Sequence, residues 1–273
     1  MQLRNPRRVT RLTTGILIGL LFLIPMLYML MIALESPAHF LVKPLVPQLL
    51  PSVQNFGTAW QQGDLGPEIV NTVIYSVSAA GISTALSLLI AFPISRTLIR
   101  LASPLYKLFV IGICIPLPII PLFIEAQHLD LYDSRIGYII LHIEPGLPIG
   151  VLLLCAFIGS IPTELDEAAA MDGCGYWRYM VRFVAPLAWP SIVIVFLYSL
   201  LGVWNDLIGP VVFLASPNLF PISRGVYTFY SANQSADTLL AAAVLIASLP
   251  VVVLFMASQR QLMRATMGAG LRK

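Results

Sequence analysis

Two long stretches without a charged residue constrain this chain more than any other feature of its sequence. Residues 13–34 form an apolar run of 22 residues, and residues 69–95 form a second run of 27. An α-helix rises about 1.5 Å per residue, so each run is long enough to cross a hydrocarbon layer of about 30 Å. Only 11% of the 273 residues are charged, which is too few for one soluble core. The sequence therefore predicts an all-α integral membrane protein.

Four further apolar segments complete a set of six predicted transmembrane helices: residues 108–124, 136–160, 187–205 and 238–259. In the third span, Pro116, Pro118 and Pro121 predict that the outer half is not a regular α-helix. The fourth contains Glu144, the one acid within an apolar run. Either Glu144 is a functional charge inside the membrane, or it lies at the outer surface and the span begins at Pro145.

The distribution of basic residues predicts the orientation in the membrane. With six spans, thirteen of the sixteen lysines and arginines fall on the side that holds both termini. By the positive-inside rule that side is the cytoplasm. The predicted organisation begins with a basic cytoplasmic N-terminus (1–12), span one (13–34) and an external proline-rich loop (35–67). A core of five spans (69–259) and a cytoplasmic tail (260–273) follow. The core includes a cytoplasmic loop at 162–186, between spans four and five. Residues 216–237 are predicted to be a polar loop.

The loop that begins at residue 162 is the longest patterned polar segment of the chain. Thr163 and Asp166 have capping-box spacing, which predicts a helix that starts near Glu164. Gly173 and Gly175 are expected to end that helix in left-handed backbone conformations. A second, amphipathic helix is predicted for residues 176–184. The first helix carries four acids, Glu164, Asp166, Glu167 and Asp172.

The same loop resembles a known motif. Glu167-Ala168-Ala169, three residues, Gly173, nine residues and then Phe183-Val184-Ala185-Pro186 is similar to the EAA loop of the membrane subunits of binding-protein-dependent ABC importers. The family pattern ends in Ile-x-Leu-Pro, and here Phe183 and Ala185 replace the two aliphatic residues. The resemblance extends to sugar-type permeases through Asn55-Phe56, the 130–134 loop, Trp204-Asn205-Asp206 and the 259–270 tail.

In that family the EAA loop is a coupling helix that docks in a cleft of an ATPase subunit. The resemblance implies that Glu167 pairs with a basic residue of the ATPase and that Gly173 permits the turn. The full set of coupling residues that it implies is Glu164, Glu167, Ala168, Ala169, Asp172, Gly173 and Pro186. The alternative is a solvated loop whose acids only favour a helix N-terminus through the dipole.

The resemblance also implies partners and a function. The chain has no G-x-x-x-x-G-K-[ST] loop, so it is expected not to be an enzyme, to bind no cofactor or metal, and to leave ATP and Mg²⁺ to the partner ATPase. A second homologous membrane subunit, an external solute-binding protein and membrane lipid are the other expected partners, and nucleic acid is not. The two membrane subunits would form an ATP-driven, alternating-access pathway for a sugar or sugar-like solute in the cytoplasmic membrane.

Five polar or aromatic residues are candidates for the lining of that pathway, because amides and hydroxyls bind sugars and aromatic rings stack on them: Asn71, Tyr75, Tyr198, Asn205 and Asp206. The same residue types also serve ordinary helix packing. Other functions stay open. An ion-coupled secondary transporter would use Glu144 or Asp206 as its coupling carboxylate, and an ABC permease could carry a non-sugar solute. An intramembrane enzyme is disfavoured, because His128 and His142 do not form H-E-x-x-H.

Overall fold

The computed structural model describes residues 6–49, 51–231 and 237–270, and these residues form helices and connecting turns without a β-strand. The predicted all-α class is confirmed. In chain order the α-helices are α1 Pro6–Ala33, α2 Pro37–Val42, α3 Gln54–Gln62, α4 Leu65–Ser95, α5 Ala102–Gly112, α6 Ile119–His128, α7 Arg135–Leu141, α8 Leu147–Gly159, α9 Glu164–Met171, α10 Tyr176–Leu187, α11 Trp189–Trp204, α12 Ile208–Phe213, α13 Ile222–Ser231 and α14 Asp237–Gly270. Short 3₁₀ turns cover Glu144–Gly146 and Pro217–Leu219.

Four helical segments of the described chain are long and apolar enough to cross a membrane. They are Thr13–Ala33, Leu65–Ser95, Arg135–Gly159 and Asp237–Gln261. The pair α10 and α11, bent by 81°, makes a fifth if it is counted as one broken span. Six spans with both termini in the cytoplasm therefore remain a prediction. Arg4, Arg272 and Lys273, which enter that argument, lie outside the described residues.

The predicted third span is interrupted. Residues 113–118 separate α5 from α6, as the prolines predicted. The expectation that the outer half would lack a regular helix was wrong, because α6 is an α-helix that contains Pro121. Pro121 is the third residue of α6, where a backbone N–H has no intrahelical acceptor, so its ring costs no hydrogen bond.

Two predicted boundaries also differ from the structure. Residues 216–237 are not only a polar loop, because α13 occupies ten of them. Pro217 and Pro221 precede this helix instead of interrupting it, and residues 232–236 lie outside the described chain. The last helix, α14, continues past Gln259 to Gly270, so much of the predicted tail is helical.

The chain divides into two compact units. The first comprises Met1–Gly66 and Gly225–Leu249. In it the segment after α1 is held by Asn55, whose buried amide donates to the carbonyl oxygens of Ala33 at 2.8 Å and Glu35 at 2.7 Å. This contact satisfies a carbonyl at the C-terminal end of α1 that has no partner within the helix.

The second unit comprises Pro67–Arg224 and Pro250–Lys273, and it holds both candidate sites. One apolar cluster joins α4, α8, α10 and α11 through residues such as Phe92, Leu154, Met180 and Val195. A second cluster is centred on residues that include Tyr75, Tyr138, Val203 and Phe213. These two clusters fix the positions of the loop at 162–186 and of the polar residues after α11.

Small residues let three parts of this unit approach closely. A Cβ atom added to Gly146 would lie 2.6 Å from the Ser199 hydroxyl oxygen and 2.7 Å from that of Ser83. A Cβ atom at Gly150 would come equally close to the side chain of Ser87. Close approach through glycine and serine is typical of packing between membrane helices. Here it brings α4 and α11 against the start of α8.

Candidate functional site

The first helix of the candidate coupling loop, α9, begins at Glu164, as predicted. The predicted capping box is wrong, however. Thr163 has helical dihedral angles (φ −72°, ψ −18°), and its side chain makes no capping hydrogen bond. Asp166 does not support the helix start either, because its carboxylate binds Arg96 and Tyr179. A charged partner at close range competes more strongly for this carboxylate than a local backbone N–H does.

The turn after α9 depends on Gly173. This residue has φ +67°, and no neighbouring atom would meet a side chain there, so the predicted left-handed conformation is confirmed. The same prediction for Gly175 was wrong. Gly175 is extended (φ −69°, ψ 159°) and precedes the first residue of α10, because residues at that position adopt extended dihedral angles. One left-handed glycine is therefore enough for the turn between α9 and α10.

The second predicted helix is present as α10 and is amphipathic. It begins with one α-helical turn, continues as a π-helical stretch over Met180–Val184, and ends in a short α-helical piece. Tyr179 is buried on the side of the apolar cluster, whereas Trp177 and Val181 are exposed. The buried residues Met180 and Val184 lie at the two ends of the π-helical stretch, so this part of α10 packs against the apolar cluster.

Arg96, the residue that follows α4, connects that helix to the coupling loop. Its Nε atom lies 2.8 Å from a carboxylate oxygen of Asp166, and its Nη1 donates to the carbonyl oxygen of Ile161 at 3.0 Å. The Tyr179 hydroxyl donates to the other oxygen of Asp166. The Arg96 side chain is only 6% exposed. The charge of a buried guanidinium is therefore balanced by a carboxylate on α9.

Most of the predicted coupling residues lie on the surface. Ala169 is buried against the apolar cluster, and the remaining six are exposed: Glu164, Glu167, Ala168, Asp172, Gly173 and Pro186. Two large apolar residues are exposed among the acids, namely Met171 (89%) and Leu165 (45%). We give the name coupling surface to six of the exposed residues of α9 and the adjacent position: Glu164, Leu165, Glu167, Ala168, Met171 and Asp172. Met171 and Leu165 were not among the predicted coupling residues, although large apolar residues in a strongly acidic helix are a signal that the sequence contains.

A cavity of about 560 Å³ contains three of the five predicted pathway residues, Tyr198, Asn205 and Asp206. We call it the Asp206 cavity. Its wall also includes His142, which the sequence analysis did not select as a pathway residue, and otherwise consists mainly of apolar side chains and glycine. An apolar cavity with a few convergent polar groups is typical of small-molecule sites.

Asp206 is held in a polar network at the wall of this cavity. One carboxylate oxygen lies 2.9 Å from Nε2 of His142 and 3.0 Å from the Tyr138 hydroxyl, which donates to it. The other oxygen accepts from the backbone N–H of Gly209 at 3.1 Å. Nδ1 of His142 lies 2.9 Å from the carbonyl oxygen of Tyr138. Both ring nitrogens of His142 therefore lie within hydrogen-bond distance of an oxygen, one of the Tyr138 carbonyl and one of the Asp206 carboxylate.

The other two predicted pathway residues, Asn71 and Tyr75, do not line the Asp206 cavity. Both are buried. The Asn71 amide donates to the carbonyl oxygens of Asn218 and Phe220, and the Tyr75 hydroxyl donates to that of Leu219. These two side chains therefore hold the segment after α12 against α4.

Glu144 occupies the 3₁₀ turn before α8 and is exposed. It lines a separate cavity of about 290 Å³ together with Pro116 and Pro118 of the break between α5 and α6. It also lies within Arg135–Gly159, a segment that is long and apolar enough to cross a membrane. Both interpretations of Glu144, inside the hydrocarbon layer or at its outer surface, therefore remain predictions.

Comparison with known proteins decides the family. Residues 80–267 match the family described as "Binding-protein-dependent transport system inner membrane component". The chain belongs to this family. It is accordingly a multi-pass protein of the cytoplasmic membrane and a permease component of an ABC importer, as the EAA-like loop indicated.

Curated relatives align over most of the chain. The diacetylchitobiose uptake system permease protein NgcG of Streptomyces coelicolor is 28% identical over 265 residues, which cover 94% of this chain and 87% of that protein. The melibiose/raffinose/stachyose import permease protein MelC of Bacillus subtilis is 29% identical over 240 residues, with 87% of each chain covered. Both names describe permeases, not enzymes.

A solved structure shares the fold. It is a chain of a bacterial ABC transporter involved in the import of the acidic polysaccharide alginate, with a TM-score of 0.79. The match covers 95% of this chain and 99% of the other, at 20% identity. A further alginate transporter structure, in complex with a pentasaccharide-bound periplasmic protein, aligns with a TM-score of 0.63 at 19% identity. At these identities the likeness concerns the fold alone.

Proposed function

We propose that this chain is one of two membrane subunits of an ATP-driven importer, and that it carries a sugar or a sugar-like solute inward. Membership of the importer family supports the transport role. The carbohydrate names of relatives that align along most of the chain support the solute class. An external solute-binding protein delivers the solute, and a separate ATPase binds ATP and Mg²⁺.

The observation that carries the proposal is the chemistry of the coupling surface. Positive charge flanking the apolar runs favours a cytoplasmic position for this loop, where lipid does not cover its apolar residues. Met171, 89% exposed, and Leu165, 45% exposed, then lack an apolar environment within this chain. Exposed apolar side chains surrounded by charge are typical of a protein–protein contact. A cleft on the ATPase provides the missing partner.

Each coupling residue has a distinct role in this proposal. Glu164, Glu167 and Asp172 pair with basic residues of the ATPase and set the orientation of docking. Ala168 is small and exposed, which permits close approach of the partner backbone. Ala169 anchors α9 to the apolar cluster. Gly173 supplies the turn, and Pro186 lies in the last turn of α10, before the 81° bend.

The Asp206 cavity is the part of the pathway that this subunit contributes. Asn205 presents an amide, Tyr198 an aromatic ring and Asp206 a carboxylate whose lone pairs are not all occupied. These groups match the hydroxyls and apolar ring faces of a sugar. Movement of the ATPase subunits rocks the two membrane subunits and exposes the cavity to each side in turn.

The pairing of Asp206 with His142 also weighs against the ion-coupled alternative at this residue. A coupling carboxylate must be free to bind and release an ion, whereas the Asp206 carboxylate already accepts from the Tyr138 hydroxyl and the Gly209 N–H and lies 2.9 Å from Nε2 of His142. Glu144 has no such ion pair with another described side chain. An ion-coupled transporter would therefore have to use Glu144 as its coupling carboxylate.

Uptake measurements in cells test the proposal. Cells with and without the gene are given a panel of radiolabelled oligosaccharides, monosaccharides and polyols. We expect uptake of at least one sugar to require the gene, to persist when an ionophore collapses the ion gradients, and to stop when ATP is depleted. Glu144→Gln should leave this uptake unchanged. Uptake that collapses with the ionophore while ATP remains would instead support the ion-coupled transporter.

A further inference from the structure

The position of Arg96 points to a role in coupling that the family motif does not contain. The residue follows the last residue of α4, and only 6% of its side chain is exposed. Its guanidinium reaches two different points of that loop, the Asp166 carboxylate on α9 and the Ile161 carbonyl before it. Arg96 therefore holds both the helix and the segment that leads into it.

We propose that Arg96 is a positioning residue that, through Asp166, makes α9 and the end of α4 move together when the ATPase moves. This inference rests on the proposed function, in which α9 docks on the ATPase. It assigns the transmission of that movement to one ion pair and to the Tyr179 hydroxyl that shares the carboxylate.

The other contacts of α9 make this assignment specific. The helix has eight residues, and six of its positions are exposed, so little of it is packed against the rest of the chain. Ala169 is its one buried side chain in the apolar cluster. An alanine contact resists separation but restrains sliding and rotation poorly, because dispersion attraction has no direction. The Arg96–Asp166 ion pair joins opposite charges at 2.8 Å, and Arg96 Nη1 donates a directional, charge-assisted hydrogen bond to the Ile161 carbonyl oxygen just before α9. Together these two contacts fix the position of α9 relative to the end of α4.

The helix α4 links Arg96 to the Asp206 cavity. It is one continuous helix of 31 residues, and it contacts the start of α8 at Ser83, whose hydroxyl oxygen would lie 2.7 Å from a Cβ atom on Gly146. Gly146 lines the Asp206 cavity. A displacement of α9 that Arg96 passes to α4 thus reaches the cavity wall through one helix and one close contact.

The experiment uses the purified complex of this chain with its ATPase and second membrane subunit, and it needs no knowledge of the solute. Leu117 lines the Asp206 cavity and is 39% exposed. Cys114, Cys155 and Cys174 are replaced by alanine, and Leu117→Cys serves as the reporter. The rate at which a charged maleimide labels this cysteine is measured without nucleotide and after trapping with ATP and vanadate. Their ratio measures how strongly the ATPase state changes the cavity.

In Arg96→Gln we expect the ratio of the two labelling rates to lie closer to one than in wild type, by a factor of roughly two to thirty. This factor corresponds to the change in coupling free energy that single substitutions typically cause. Tyr179→Phe, which keeps the ring and removes one hydrogen bond, should give a smaller reduction in the same direction. The charge exchange Arg96→Glu with Asp166→Arg should restore part of the response, which a purely structural defect would not allow. The matched control is Arg100→Gln, because Arg100 is an exposed arginine in the same connection between α4 and α5. This substitution should not change the ratio.

Bound ATPase and thermal stability are measured for every variant. The inference is overturned if Arg96→Gln and Tyr179→Phe bind the ATPase and keep the full response. If Arg96→Gln fails to fold, Tyr179→Phe and the charge exchange decide the question by the same criterion. A wild-type chain that binds no ATPase, or shows no response to ATP, would instead overturn the proposed function. The two failures are therefore distinguishable.

Discussion

Nε2 of His142 lies 2.9 Å from a carboxylate oxygen of Asp206, across 64 residues of sequence. The His142 side chain is 11% exposed and that of Asp206 is 22% exposed, so the pair is largely shielded from solvent while it still lines the cavity. Charge-assisted hydrogen bonds in such surroundings orient both groups strongly. The polar wall of the cavity is therefore preorganised by the protein before any solute arrives.

Removal of the Asp206 charge should destabilise the protein. Asp206→Asn keeps the size of the side chain but weakens the bonds from His142 and Tyr138, and we expect a loss of about 1–3 kcal/mol. The measurement is thermal unfolding in detergent. Asp130→Asn is the matched control, because Asp130 is exposed and its left-handed backbone (φ 54°) is one that asparagine also adopts. Equal effects of the two substitutions would show that the network contributes nothing to stability.

The turn after α9 should depend on one glycine and not on the other. Gly173→Ala places a Cβ atom in a left-handed conformation and should cost about 1–2 kcal/mol, although no neighbouring atom would clash with it. Gly175→Ala should be tolerated, because φ is −69° and the surrounding space is equally open. Unfolding temperature and ATPase binding are measured for both. Similar behaviour of the two variants would contradict the assignment of the turn to Gly173.

The close contact at Gly146 should not accept a side chain. In Gly146→Ala the new methyl group would lie 2.6 Å from the Ser199 hydroxyl oxygen, and we expect a cost of about 1–3 kcal/mol because the helices must separate. Gly81→Ala, in α4 with no atom within 4 Å, is the control and should be neutral or slightly stabilising. Double substitution with Ser199→Ala should recover part of the loss. Full stability of Gly146→Ala alone would contradict the packing described above.

Acid should release the contact between Asp133 and the segment after α12. The Ser216 hydroxyl and backbone N–H, with the N–H of Ala215, donate to this carboxylate and hold its pKa below the ordinary value of 3.8. The stabilisation is therefore complete above that value and disappears as the pH falls through the lower pKa of the folded protein. The difference in unfolding temperature between wild type and Asp133→Asn should shrink from pH 7 to pH 3. A difference that is constant across this range would show that ionised Asp133 is not the relevant group.

The features that could be predicted from the sequence are those that residues close together in the chain determine. Apolar run length located the candidate spans Thr13–Ala33 and Leu65–Ser95 to within four residues, although α1 itself begins earlier, at Pro6. The acidic stretch with Gly173 located α9 and its turn. These features follow from helix length, from amphipathic spacing and from the freedom of glycine, which neighbours along the chain determine. The coarse fold could be read because a membrane helix must satisfy its own backbone hydrogen bonds.

Contacts between distant residues were not readable. Asp166 fitted a capping box within its own segment, but Arg96, 70 residues earlier, recruits it instead. His142 was considered only against a metalloprotease pattern, and nothing near it in sequence indicated Asp206 as its partner. Tertiary ion pairs override local propensities in this way, and a single sequence carries no signal of which distant charges meet.

Binding of the ATPase to α9 tests the central claim most directly. The complex is purified in mild detergent through a tag on this chain, and the affinity of the ATPase is measured for wild type, Glu167→Gln, Met171→Ser and, as control, the exposed Glu125→Gln. An exposed ion pair is worth under about 1 kcal/mol, so Glu167→Gln should weaken binding less than about fivefold. Met171→Ser should weaken it about tenfold or more, as loss of an apolar anchor does. An ATPase that never copurifies, or that binds both loop variants as tightly as wild type, would contradict the proposed coupling surface.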